Sequence, residues 1–93
     1  MKEFNQVRDI IRKYIAFEQA DLFAFGSRAD QTHRPESDLD ILVLDKKEIP
    51  PSVLAFLEEE LEQSDLPYKV DLVIRSRIND SFYQKIKGQL KIL

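Results

Sequence analysis

Phe25-Gly26-Ser27-Arg28-Ala29, followed eleven residues after Ser27 by Asp38-Leu39-Asp40-Ile41-Leu42-Val43, sets two kinds of chemistry within one short stretch. A turn built from Gly26 and Ser27 offers backbone N–H groups and a hydroxyl to phosphate, and Asp38 and Asp40 offer two carboxylates to a divalent metal. On a strand, side chains at i and i+2 point the same way, roughly 6.6 Å apart at about 3.3 Å rise per residue. That spacing brackets a pair of metal ions lying roughly 3.5–4 Å apart. Mg²⁺ suits the arrangement because it is hard, takes oxygen ligands and is held by one or two carboxylates plus substrate phosphates. Together these residue types point to phosphoryl-group chemistry.

Such residues need elements to position them. Leu22 to Phe25 is a short apolar run ending at Gly26, the pattern of a buried strand feeding a tight turn. Asp30 to Ser37, with Thr32 and Pro35 and no periodicity, reads as a loop. A second strand is predicted from about Asp38 to Leu44, where Asp38 and Asp40 alternate with Leu39 and Ile41 and so share one face. Upstream, Phe4, Val7, Ile11, Tyr14 and Ile15 recur at spacings of three and four, which predicts an amphipathic helix over about 3–18. Downstream, Pro50-Pro51-Ser52 stops the chain and offers Ser52 as a helix N-cap ahead of the stripe Val53, Leu54, Leu57 and Leu61. Ser64-Asp65-Leu66-Pro67 breaks that helix, and Tyr68–Ile74 reads as a third strand. There Val70, Leu72 and Ile74 face a core and turn Asp71 to the opposite side. Ile78, Phe82, Ile86 and Leu90 then predict a terminal helix, with Gly88 as a point of interruption. The order α-β-β-α-β-α implies a small α/β (α+β) fold with a mixed sheet of about three strands flanked by helices.

With 93 residues, one core and one domain over 1–93 is the expectation. The 43% hydrophobic and 33% charged content is that of a globular protein. No run approaches the roughly 18 continuous apolar residues of a membrane span. Met1-Lys2-Glu3-Phe4-Asn5 lacks a signal-peptide pattern, so a cytoplasmic location without membrane contact is expected. Zero cysteines exclude disulfides and thiolate zinc sites, and the single His33 cannot build a histidine-rich metal site. Charge is uneven, −7 over residues 1–66 and +4 over 67–93, which marks either a partner surface or a solvated basic tail helix on an acidic body. The pI of about 5.1 argues against stand-alone nucleic-acid binding.

Gly26-Ser27-Arg28-Ala29, Ser37-Asp38-Leu39-Asp40 and Val70-Asp71-Leu72 resemble the signature of the polymerase beta nucleotidyltransferase superfamily: G-S-x-A-x-G, then S-D-x-D, then a single Asp on a later strand. Length and strand order look most like the minimal nucleotidyltransferases, the small partners of helical HEPN proteins in bacterial two-gene modules. The resemblance implies a small nucleotidyltransferase fold, a nucleoside triphosphate as substrate, Mg²⁺ or Mn²⁺ as cofactor, and transfer of a nucleoside monophosphate. It implies that Asp38 and Asp40 hold the metal ions. Asp71 would either help bind the catalytic metal or draw the proton from the attacking hydroxyl. Gly26, Ser27, Arg28 and Ser37 would hold the nucleotide. It further implies a HEPN-type protein as partner and acceptor, with this chain as the antitoxin that adenylylates or otherwise neutralises it. Self-association stays open.

Other side chains admit two uses each. Arg28 and Arg34 are either phosphate ligands or plain surface arginines, and His33 reads as a surface histidine. Tyr68, Phe82 and Tyr83 either stack on a base or serve core packing and partner contact. Where the superfamily pattern has a second Gly, this chain has Asp30-Gln31, which removes a position tolerant of positive φ and adds a negative charge near the triphosphate. That departure keeps open the rival reading from another class, a weak or inactive binding module that neutralises or assists its partner by contact.

Overall fold

The computed structural model describes residues 4–26 and 38–93. Helix α1, Asn5–Arg12, buries Val7, Ile10 and Ile11. It stops well short of the periodic stripe because the Arg12 guanidinium reaches forward to the carbonyls of Ala16 at 3.1 Å and Ala20 at 2.9 Å. The chain between them therefore folds into turns, yet Ile15 remains fully buried. The stripe predicted the burial correctly and the helix length incorrectly.

Strand β1, Ala20–Phe25, and strand β2, Leu39–Asp45, pair antiparallel, with Phe25 opposite Asp40 and Phe23 opposite Leu42. Helix α2, Pro51–Gln63, follows and buries Leu54, Leu57 and Leu61. Its N-cap is Pro50, with no side-chain cap bond, and not Ser52 as the sequence had implied. Pro51 fills the first helical position, where its missing N–H lacks nothing and its fixed φ already suits a helix. Strand β3, Val70–Ile74, returns parallel to β2, with Asp71 beside Asp40. Helix α3, Asp80–Ile86, is capped by Asn79, whose side chain accepts a 2.8 Å hydrogen bond from the Phe82 N–H.

The chain then pairs once more with β1 through a short strand β4, Lys91–Ile92. Among the described residues four strands lie in the order β3-β2-β1-β4, one more than the three the sequence predicted. Leu90 leads into this strand and does not extend α3.

The sheet has a different cover on each face. Leu22, Ala24, Leu39, Ile41, Val43 and Ile74 pack into the larger core with α1 and α2. Phe25 and Leu42 join Ile86 of α3 in a second, smaller cluster. Alternation along β2 and β3 consequently sends Asp40 and Asp71 to the α3 side.

Candidate functional site

Four of the residues singled out in the sequence meet at one end of the sheet. Phe25, Asp40 and Asp71 form a row across β1, β2 and β3, because each stands opposite the next in the strand register. Asp38 is exposed just ahead of β2. Gly26 follows β1 with φ +83°, a left-handed conformation that glycine adopts without strain. It also lies hard against the acid row: a Cβ on Gly26 would sit 2.6 Å from Oδ2 of Asp40. Glycine is required here twice over, for the backbone angle and for the room it leaves to the carboxylate.

The electrostatics reflect the crowding. Burial lifts the Asp40 carboxyl above its ordinary value of 3.8, and the charges of Asp71 and then Asp38 lift it further. Among the described residues Asp71 pairs with Lys69, whose Nζ lies 3.7 Å from Oδ1. Lys69 is largely exposed and Asp71 partly so, and a solvent-screened pair of this kind contributes little to stability. A cleft of about 600 Å³ between the end of α2 and the outer edge of β3 includes Asp71, Lys69 and Glu62 in its walls. Asp40 and Gly26 stand outside that cleft.

The donor set fits a hard divalent cation. It is made of carboxylate oxygens, and Asp40 is half-buried with like charges as neighbours, an arrangement that a cation would relieve. Among the described residues, three carboxylates are not drawn into one closed metal-holding group. What Asp38, Asp40 and Asp71 share is a field and an open face.

Ser27, Arg28 and Ser37, expected to hold the nucleotide, lie outside the described residues, as do Arg34, His33, Asp30-Gln31 and the loop predicted over Asp30–Ser37. The aromatic candidates separate. Tyr68 packs edge-on against Phe4, on the α1 side of the sheet, at 6.3 Å between ring centroids. Tyr83 lies under the Arg75 guanidinium at 4.3 Å and lines the smaller core. Phe82 alone of the three counts as an exposed large apolar side chain. Sequence reasoning gave no role to Phe25, the buried neighbour of Asp40. Leu22–Phe25 is apolar throughout, so nothing within the run set Phe25 apart from its neighbours.

The model of the family described as Polymerase beta, Nucleotidyltransferase matches residues 5–93. Among solved structures, a toxin–antitoxin complex with AMP-PNP holds a chain 29% identical to this one, with TM-score 0.76, the match covering 99% of this chain and 72% of the other. A mutant of the toxin–antitoxin pair MntA-HpeT holds another, 27% identical with TM-score 0.74, covering 98% and 70%. A third lies in the complex of a tri-AMPylated HEPN toxin with an MNT antitoxin from Shewanella oneidensis. It is 24% identical with TM-score 0.71, covering 98% and 68%, a likeness of fold. Comparison with curated proteins found no match.

Proposed function

This chain belongs to the polymerase beta nucleotidyltransferase family, and on that premise we propose that it moves a nucleoside monophosphate from ATP onto a HEPN-type partner protein, as the cytoplasmic antitoxin of a two-gene module. The observation that carries the reading is the side-by-side placement of Asp40 and Asp71 on parallel β2 and β3, with positive-φ Gly26 pressed against Asp40. Similarity to a chain from a toxin–antitoxin complex with AMP-PNP supports ATP as donor and a toxin protein as partner.

Asp38 and Asp40 would hold Mg²⁺ or Mn²⁺, with Asp71 as further ligand or as proton acceptor. A divalent ion bound there stabilises charge on the attacking and leaving oxygens of an in-line displacement. Gly26 lets the backbone approach the triphosphate closely, while Ser27, Arg28 and Ser37 would donate hydrogen bonds to it. The acceptor hydroxyl oxygen forms a bond to the α-phosphorus, and the bond from that phosphorus to the bridging oxygen breaks. Pyrophosphate leaves, and the hydroxyl proton goes to Asp71 or to solvent beside it. Orientation of the acceptor falls to the partner, and positioning of this kind supplies roughly 7–11 kcal/mol of a barrier.

Incubating α-labelled ATP, Mg²⁺, this chain and its partner, then resolving the proteins by mass, tests the proposal. Label on the partner that disappears with Asp38→Asn supports transfer. Neutralisation of the partner that survives loss of all three aspartates, with no label moved, would replace it with the contact-only module that Asp30-Gln31 keeps open.

A further inference from the structure

Four large apolar side chains are exposed among the described residues: Phe17, Phe56, Phe82 and Ile92. The Arg12 guanidinium covers Phe17 at 4.1 Å from its ring centroid. Phe56 belongs to α2, on the face of the sheet opposite the acids. Ile92 has no ring. Phe82 differs from all three because of what it rests on. Its ring meets that of Phe25 edge-on, with centroids 6.5 Å apart and planes at 76°. Phe25 is the register partner of Asp40 and the residue before Gly26.

Phe82 is also held firmly in place. Asn79 caps its backbone N–H, and Ile86 one turn later is buried in the smaller core. Tyr83, Ile78 and Leu90 complete the packing of this segment onto the sheet, and 38% of Phe82 stays open to solvent. A fixed, half-exposed aromatic ring one side chain away from the phosphate and metal end is a stacking platform for a planar group.

We propose that Phe82, propped by Phe25 beside Asp40, is the residue on which the base of the bound nucleotide stacks. The inference rests on the nucleotide reading above and assigns that nucleotide a second point of attachment. Phe82 acts as a positioning residue, fixing the base and thereby the sugar and α-phosphate relative to Asp40. Stacking on an aromatic ring contributes about 1–3 kcal/mol per base, which corresponds to roughly 5- to 150-fold in affinity.

Two ligands separate base from phosphate: Mg²⁺-ATP and Mg²⁺-tripolyphosphate, which has the charge without the base. Phe82→Ala should weaken ATP binding at least about fivefold by calorimetry and leave tripolyphosphate unchanged, while Phe82→Tyr should restore ATP affinity. The chain contains no tryptophan, so Phe82→Trp supplies a single indole reporter. Its fluorescence should be quenched by ATP and not by tripolyphosphate. Equal weakening of both ligands by Phe82→Ala, unchanged ATP affinity, or an indole blind to ATP would overturn the assignment while leaving the phosphate and metal reading standing. Failure of the unsubstituted chain to bind either ligand would overturn both.

Discussion

Gly26→Ala isolates the contact on which the site depends. Two separate penalties follow from the structure. At φ +83° an alanine meets the left-handed backbone cost of roughly 1–2 kcal/mol that glycine escapes. Its Cβ would also lie 2.6 Å from Oδ2 of Asp40, whereas Cγ at 3.6 Å and Cβ at 3.8 Å are already at ordinary contact. Only the carboxylate oxygen has to move, by about 0.8 Å, and the last torsion of an aspartate is soft enough to allow it. The clash therefore adds little to the folding cost and much to the functional one. Thermal melting should fall by roughly 4–8 °C for each kcal/mol in a chain of this size. Transfer by the folded variant should fall about 100-fold, the scale of loss from a misplacement near 1 Å. The melting loss should persist when Gly26→Ala is placed on Asp40→Ala, because the backbone term does not involve the carboxylate. Normal transfer by folded Gly26→Ala would refute the reasoning. So would a melting loss that vanishes once the Asp40 carboxylate is gone, since the contact and not the backbone angle would then carry it.

Asp38→Asn combined with Asp40→Asn should abolish most Mg²⁺-dependent triphosphate binding by calorimetry, and without metal Asp40→Asn should melt no lower than the parent, because burial and like charge already disfavour that carboxylate. Asp71→Asn should lower turnover by about 10²- to 10⁴-fold if it takes the acceptor proton, with a smaller loss of nucleotide affinity; equal losses would make it a third ligand. At the α1–α2 contact, Glu60 accepts hydrogen bonds from Lys13 and from Tyr14 at 2.6 Å, and these hold its carboxyl below the ordinary value of 4.5. Its contribution is therefore present above that value and lost as pH falls through the lowered one, so Glu60→Gln should melt below the parent at neutral pH and converge with it in acid.

The amino-acid sequence determined what could be read from neighbours a few residues apart. Period-two alternation along Asp38–Leu44 and Val70–Ile74 assigned Asp40 and Asp71 to the face away from Ile41 and Leu72. Stripes at three and four put Val7, Ile11, Leu54, Leu57 and Leu61 inside, where the structure has them. The Gly-Ser turn and the separated acids marked the family, because those residue types are chemistry and survive whatever the fold does around them.

Tertiary structure decided whatever depends on a partner distant in sequence. The end of α1 at Arg12 was hidden because the carbonyls that hold the guanidinium include that of Ala20, in the next strand. β4 was hidden because two residues make a strand only when β1 lies alongside to bond them. The stripe Ile78, Phe82, Ile86 treated its members alike, yet the packing of α3 on the sheet buries Ile86 with Phe25 and Leu42 and leaves Phe82 half-open on Phe25. Gly26 was legible as a turn, but that it must be glycine to clear the Asp40 carboxylate follows only from the register that sets Phe25 opposite Asp40. Alternation constrains register only to steps of two residues, because a slip of two keeps every side chain on its own face, so which residue stands opposite Asp40 is settled only when β1 and β2 pair.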